Sequence, residues 1–191
     1  MKSVWIIRHG MTALNSEHGG EDRIRGWRNV PLTKEGHAEA GKLANKLRNT
    51  DIDVIYHSSL DRAADTAKAI AKTTGAKLVA LDELKPWNVG EYTGEHTKVA
   101  HPILAKFCCD TPDKSVPGGE SFTSFKDRVF KGLRKVATGG FKHPAVVTHH
   151  RVERLLAAWE AAGQPADHKI NEKVFLEKGE PTAHAEEMKL R

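Results

Sequence analysis

A doubly wound α/β fold, three layers with a mostly parallel sheet between helices, follows from three observations. Short runs rich in β-branched residues alternate along the chain with longer segments whose apolar residues recur at the helical period. Each junction is punctuated by Gly, Pro, Ser or Thr. The 191 residues, 39% hydrophobic and 29% charged, suit one well-buried domain of ordinary globular composition. A single domain over residues 1–191 is expected, with a polar, loose tail from about 181.

The elements follow in order. "VWIIRHG" from Val4 to Gly10 opens as a short buried strand and runs straight into a charged arginine, an imidazole and a glycine. A long polar loop over 10–32 carries Thr12, Asn15, Arg23, Arg25 and Arg28, and loops of this length in compact domains are commonly functional. Thr33 caps a helix with Ala40, Leu43, Ala44 and Leu47 on one face. "DVIYHSS" is a second strand, and Ser58 or Ser59 is placed to cap a helix whose first turn holds Arg62. "AKLVAL" is a third strand, followed by a Pro- and Gly-punctuated loop over 82–97 and a short helix ending at Cys109. Ser121 caps a helix that buries Phe122, Phe125, Val129, Leu133 and Val136. "PAVVTHH" is a fourth strand, Val152, Leu155, Leu156 and Trp159 mark the next helix, and "VFLEKG" reads as a last strand.

Sheets of this kind bind ligands at the carboxyl ends of their strands. Those ends deliver Arg8-His9, then Ser58-Ser59 with Arg62 a helical turn on, then Thr148-His149-His150. Two arginines and two histidines beside a helix start form a set suited to a phosphoryl dianion. Guanidinium forks match its oxygens, helix N–H groups add donors, and a neutral imidazole can attack phosphorus.

Several classes are excluded or weakened. The net charge of +5 comes from scattered lysines with no nucleic-acid motif, which favours a small phosphorylated substrate over nucleic acid. The early apolar run is too short for a signal core or a membrane span, so no membrane partner and a cytoplasmic location are expected. Cys108 and Cys109 are adjacent and close no long loop, which fits a reducing compartment. His57, His96, His101, His143 and His168 have no metal-ligand spacing and are read as structural, so no metal site is expected.

The ordered set "IIRHGMTALN", "GW..VPLTKEG", "SSLDRAADTA", "GGES" and "VVTHH" resembles the histidine phosphatase superfamily, also called phosphoglycerate mutase-like, from residue 4 to about 156. The resemblance implies a histidine acid phosphatase-type phosphomonoesterase that needs no cofactor. It implies His9 as the phosphorylated nucleophile, Arg8 and Arg62 as phosphate clamps, and His149 as a second histidine on the phosphoryl oxygens. Asn15 and Thr12 would add contacts from the loop, Arg25 would touch substrate, and Gly10 would let the backbone approach closely. His150 would line the leaving-group side. Alternatives are a phosphoglycerate mutase-type phosphotransferase and a non-catalytic phospholigand-binding module. The short run between the 82–97 loop and His149 favours hydrolysis over the mutase.

Two departures from the family pattern stand out. Its phosphatases commonly carry a glutamate acid four residues before the Gly-x-aromatic-x-Gly turn. Here that turn is "GEYTG", Pro86 holds the position, and Glu83 lies three residues earlier. Glu83 is the leading candidate for the acid, with Asp82 and Glu91 behind it. The residue after the second histidine is His150 instead of the Gly, Asn or Asp of known branches.

Overall fold

Ile6 and Ile7 are chain neighbours buried in two different hydrophobic cores. A strand sends successive side chains to opposite faces, so two cores mean a sheet covered on both sides. A computed structural model describes residues 2–15, 22–177 and 182–190. Among them, strands β1 (Lys2–Arg8), β2 (Val54–His57), β3 (Lys77–Ala80), β4 (Pro144–Thr148) and β5 (Ala185–Leu190) form one sheet in the order β3-β2-β4-β1-β5. All pairs are parallel except β1 with β5.

One face is covered by α1 (Lys34–Lys46) and α2 (Asp61–Thr74), whose Leu43, Ala44, Leu47, Ala63, Ala67 and Ile70 pack on Ile7, Ile55 and Val147. The other face carries α3 (Thr97–Cys109), α4 (Phe122–Thr138), α5 (His150–Ala161) and α6 (Glu172–Leu176) over Ile6, Tyr56 and Val146. Its centre is aromatic: Phe125 is fully buried and stacks on Trp87 at 6.1 Å between ring centroids. Truncating such a side chain costs about 3–5 kcal/mol. The caps expected of Thr33 and Ser121 are present, accepting from Gly36 N at 3.1 Å and Ser124 N at 3.0 Å.

Three expectations are corrected. The tail from about 181 is not loose throughout, because β5 pairs antiparallel with β1 from Lys2↔Leu190 to Ile7↔Ala185. Met188 and Leu190 are buried while Glu187 and Lys189 are exposed, the period-two pattern of a half-covered edge strand. Val174–Leu176 of the supposed "VFLEKG" strand belong to α6, capped by Asn171 and anchored by the fully buried Phe175; Lys178 and Gly179 lie outside the described residues. Neither Ser58 nor Ser59 caps α2. Leu60 occupies the cap position without a side-chain bond, and the Asp61 N–H is satisfied by Asn29 Oδ1 at 3.0 Å, from a distant loop.

The strand order sets the position of the site. β2, β4 and β1 are adjacent, so Ser58, His149 and His9 leave the sheet side by side, as the bonds Ser58 N–H to Val147 O and His9 N–H to Thr148 O record (both 3.1 Å).

Candidate active site

A cleft of about 660 Å³ opens at this carboxyl edge. Arg8, His9, Asn15, Arg25, Arg62, His149 and His150 line it. His9 and His149 are almost wholly buried and meet edge to face at 5.1 Å between ring centroids.

Their hydrogen bonds fix opposite tautomers. His9 Nδ1 lies 2.6 Å from the Gly10 carbonyl, which can only accept, so Nδ1 carries the proton and Nε2 keeps a free lone pair. His149 Nδ1 receives the Nε–H of Arg62 at 3.2 Å, so its proton sits on Nε2. That Nε2 is buried with no partner among the described residues. A buried donor left unsatisfied is costly and points to a ligand acceptor. Burial, followed by the guanidinium groups of Arg62 and Arg25, holds both imidazoles well below the ordinary 6.5. Both are neutral near pH 7, and His9 keeps an unprotonated Nε2.

Arg62 is held as tightly as it holds. Besides His149, it donates from Nη1 to Arg28 O at 2.9 Å and from Nη2 to Gly26 O at 3.1 Å. Three of its five N–H donors are used, which leaves two for a ligand. Burial and the neighbouring Arg25 lower it to about 9. Asn15 Oδ1 accepts from Thr12 N at 2.9 Å and Thr12 Oγ1 at 2.8 Å, which turns its amide NH₂ away from these contacts.

Two expected ligand contacts have other positions. Thr12 is buried outside the lining and orients Asn15. Gly10 is also outside the lining. A Cβ there would stand 2.4 Å from Gly36 O, so the approach of the α1 backbone by itself requires a glycine.

None of the three candidate acids reaches the cleft. Glu83 Oε1 accepts from Lys135 Nζ at 2.6 Å on the α4 side, and this bond keeps its carboxyl below the usual range. A general acid needs the opposite shift. Asp82 is likewise lowered, chiefly by the Ser59 hydroxyl and then by Lys85. Among the described residues the lining carboxylates are Asp22 and Glu177.

Sequence reasoning missed several residues. Thr66, one turn beyond Arg62 on α2, accepts from Gly10 N at 3.1 Å and donates to Arg62 O at 2.8 Å; the i, i+4 spacing was the available signal. Arg128 pins the 82–90 loop by donating to Glu83 O, Lys85 O, Pro86 O and the Glu120 carboxylate, with Trp27 stacked beneath it. That loop supplies Pro86, Trp87 and Val89 to the cleft. His101, read as structural, lines the cleft as well. Among the described residues no group of three or more His, Cys, Asp or Glu is gathered as a metal site, and no helix is long and apolar enough to cross a membrane.

Paired neutral histidines among arginines at the carboxyl edge of a parallel sheet have the donor set and charge that suit a phosphoryl group. The model for the histidine phosphatase superfamily (branch 1) matches residues 4–173, and the chain belongs to that family. It is 30% identical over 156 residues to a protein named "Probable phosphoglycerate mutase GpmB" from Escherichia coli (strain K12 / DH10B), covering 78% of this chain and 70% of the relative. The fold matches that of a mycobacterial glucosyl-3-phosphoglycerate phosphatase solved with VO3 at TM-score 0.75, with 19% identity over 98% of this chain and 92% of that one. A structure titled "putative alpha-ribazole-5'-P phosphatase" from Escherichia coli str. K-12 substr. MG1655 matches at TM-score 0.71 with 26% identity, covering 87% and 82%.

Proposed function

We propose that the chain is a phosphomonoester hydrolase acting through phosphohistidine on His9. The observation that carries the reading is the opposite tautomers of the two buried histidines: a lone pair on His9 Nε2 and, on His149 Nε2, an N–H with no partner among the described residues. In the first step His9 Nε2 bonds to phosphorus as the ester P–O bond breaks, and the departing alkoxide takes a proton from water. In the second, water attacks phosphorus, the N–P bond breaks, and inorganic phosphate leaves. Arg8, Arg25, the free N–H groups of Arg62, the His149 Nε2–H and the Asn15 amide stabilise the equatorial oxygens. With Glu83 on Lys135, the leaving oxygen departs without that carboxylate, so esters of acidic alcohols are the best substrates.

A mutase shares the first step and returns the group to the product instead of to water. The name of the Escherichia coli relative favours this second reading. Incubation with a panel of phosphomonoesters, with His9→Ala as background, separates the two. Release of inorganic phosphate is expected, isomerised ester without release supports the mutase, and neither product would leave a binding module.

A further inference from the structure

A guanidinium is planar and rigid, so the N–H groups that Arg62 offers a ligand point wherever its other donors are held. Those donors rest on one short turn. Nη2 donates to Gly26 O at 3.1 Å and Nη1 to Arg28 O at 2.9 Å, and the residue between the two carbonyls is Trp27. The turn is closed by the Arg28 N–H on Arg25 O at 2.9 Å, with Gly26 at φ +48°, and Trp27, Arg28 and Asn29 are exposed. Exposed turns with little buried apolar surface open easily unless something outside them anchors them.

Trp27 supplies that anchor. Its indole Nε1–H donates to Pro86 O at 2.8 Å. Pro86 O also accepts from Arg128 Nη2 at 3.1 Å, and Arg128 is fixed in turn by the Glu120 carboxylate at 2.6 Å. Lys85 Nζ and Arg128 Cζ lie 5.0 and 5.5 Å from the Trp27 ring centroid. At 39% exposed, the side chain buries too little to serve as core packing, and what it brings to this place is a directed N–H and a face for cations. On the far side of the turn, Asn29 exchanges two hydrogen bonds with Asp61 at the start of α2, at 2.8 and 3.0 Å. The Pro86 carbonyl thus fastens the turn under Arg62 to the loop that supplies Pro86, Trp87 and Val89 to the cleft.

We propose that Trp27 is a positioning residue for the phosphoryl site: its bond to Pro86 O holds the 25–28 turn, and through the Gly26 and Arg28 carbonyls the turn aims the Arg62 fork. Trp27 itself is not part of the cleft lining. The role rests on the phosphatase reading only for the reaction assayed, since aiming an anion clamp serves any phosphoryl ligand. Without the indole N–H, a ligand must order a turn that the wild type already holds, and its affinity falls with the fraction of molecules left competent. That loss is bounded by the worth of the anchoring bond, about two- to tenfold.

Trp27→Phe tests this, because it keeps an aromatic face for Lys85 and Arg128 and removes the N–H. Lys85→Met is the control, which takes one cation from the ring and leaves the bond. Titration calorimetry with inorganic phosphate reads the phosphoryl site without turnover, ¹H–¹⁵N spectra read the Arg62 Nε–H, and hydrolysis of nitrophenyl phosphate reads kcat/KM. In Trp27→Phe the phosphate Kd is expected to rise about two- to tenfold, kcat/KM to fall by a like factor, and the Nε–H resonance to shift or broaden. Lys85→Met should match the wild type in all three. Should Trp27→Phe fail to fold, benzothienylalanine at position 27, isosteric with sulfur in place of the N–H, gives the same comparison. A folded variant with wild-type phosphate Kd and an unchanged Nε–H resonance overturns the positioning role, even if its denaturation midpoint drops, because a merely structural bond would behave that way. Absence of hydrolysis by the wild type, with the difference in phosphate Kd intact, overturns the phosphatase reading and leaves Trp27 in its role.

Discussion

Replacing Arg62 with lysine keeps a basic group and removes the fork. The wild-type side chain makes three hydrogen bonds, to Arg28 O, Gly26 O and His149 Nδ1, at 2.9, 3.1 and 3.2 Å. An ammonium on a flexible stem replaces one of them. Hydrogen bonds to charged groups are worth about 1.5–3 kcal/mol each, so two lost bonds cost about 3–6 kcal/mol, a large share of the ~5–15 kcal/mol that holds a domain folded. The burial that lowers Arg62 to about 9 would also bring a lysine, which starts about two pH units lower, toward neutrality. With no donor on Nδ1, His149 is released from the tautomer that presents Nε2–H. We expect kcat/KM to fall about 10²–10³-fold, the loss seen when a preorganised donor is removed from a developing charge. Denaturant titration reads the stability, phosphate release reads the rate, and ¹⁵N imidazole spectra read the His149 tautomer. A lysine variant within threefold of wild-type kcat/KM, with the tautomer unchanged, would refute the reasoning.

Gly10→Ala should cost about 1–3 kcal/mol, since its Cβ would meet the Gly36 carbonyl at 2.4 Å between two backbones. Gly41→Ala, in the same helix as Gly36 with nothing within 4 Å of its Cβ, should stabilise by about 0.5–1 kcal/mol; equal denaturation midpoints for the pair would contradict this. Stability should fall as pH drops below 6.5. There the unfolded chain protonates His9, His149 and His150 while the folded chain keeps them neutral, giving a slope of up to about 1.4 kcal/mol per pH unit for each. Thermal melts at pH 7.5 and 5 check it, and greater stability at pH 5 counts against it. Glu83→Gln should change kcat/KM equally for an alkyl and a nitrophenyl phosphate, because the carboxylate is engaged with Lys135; a selective loss on the alkyl ester would return Glu83 to the mechanism.

The convergence of Arg8, His9, Arg62 and His149 was legible because strand ends in a parallel sheet lie on one edge, whatever the packing details. β5 was not, since "AEEMKL" alternates only weakly and takes its strand form from pairing with β1. Val174–Leu176 have strand propensity, yet Asn171 as a cap and the burial of Phe175 select a helical turn. Glu83 shows how spacing misleads: the loop places its carboxylate on Lys135, a partner 52 positions away.

The central claim is that His9 carries the phosphoryl group. Brief mixing with a ³²P-labelled phosphomonoester that the protein hydrolyses, a denaturing quench at alkaline pH and peptide mapping would test it most directly. The account predicts label on the peptide containing His9, no more than one equivalent per chain, lost on a chase with unlabelled ester and absent from His9→Ala. Hydrolysis that proceeds with no label on His9 at any time, or with label on another residue, would contradict it.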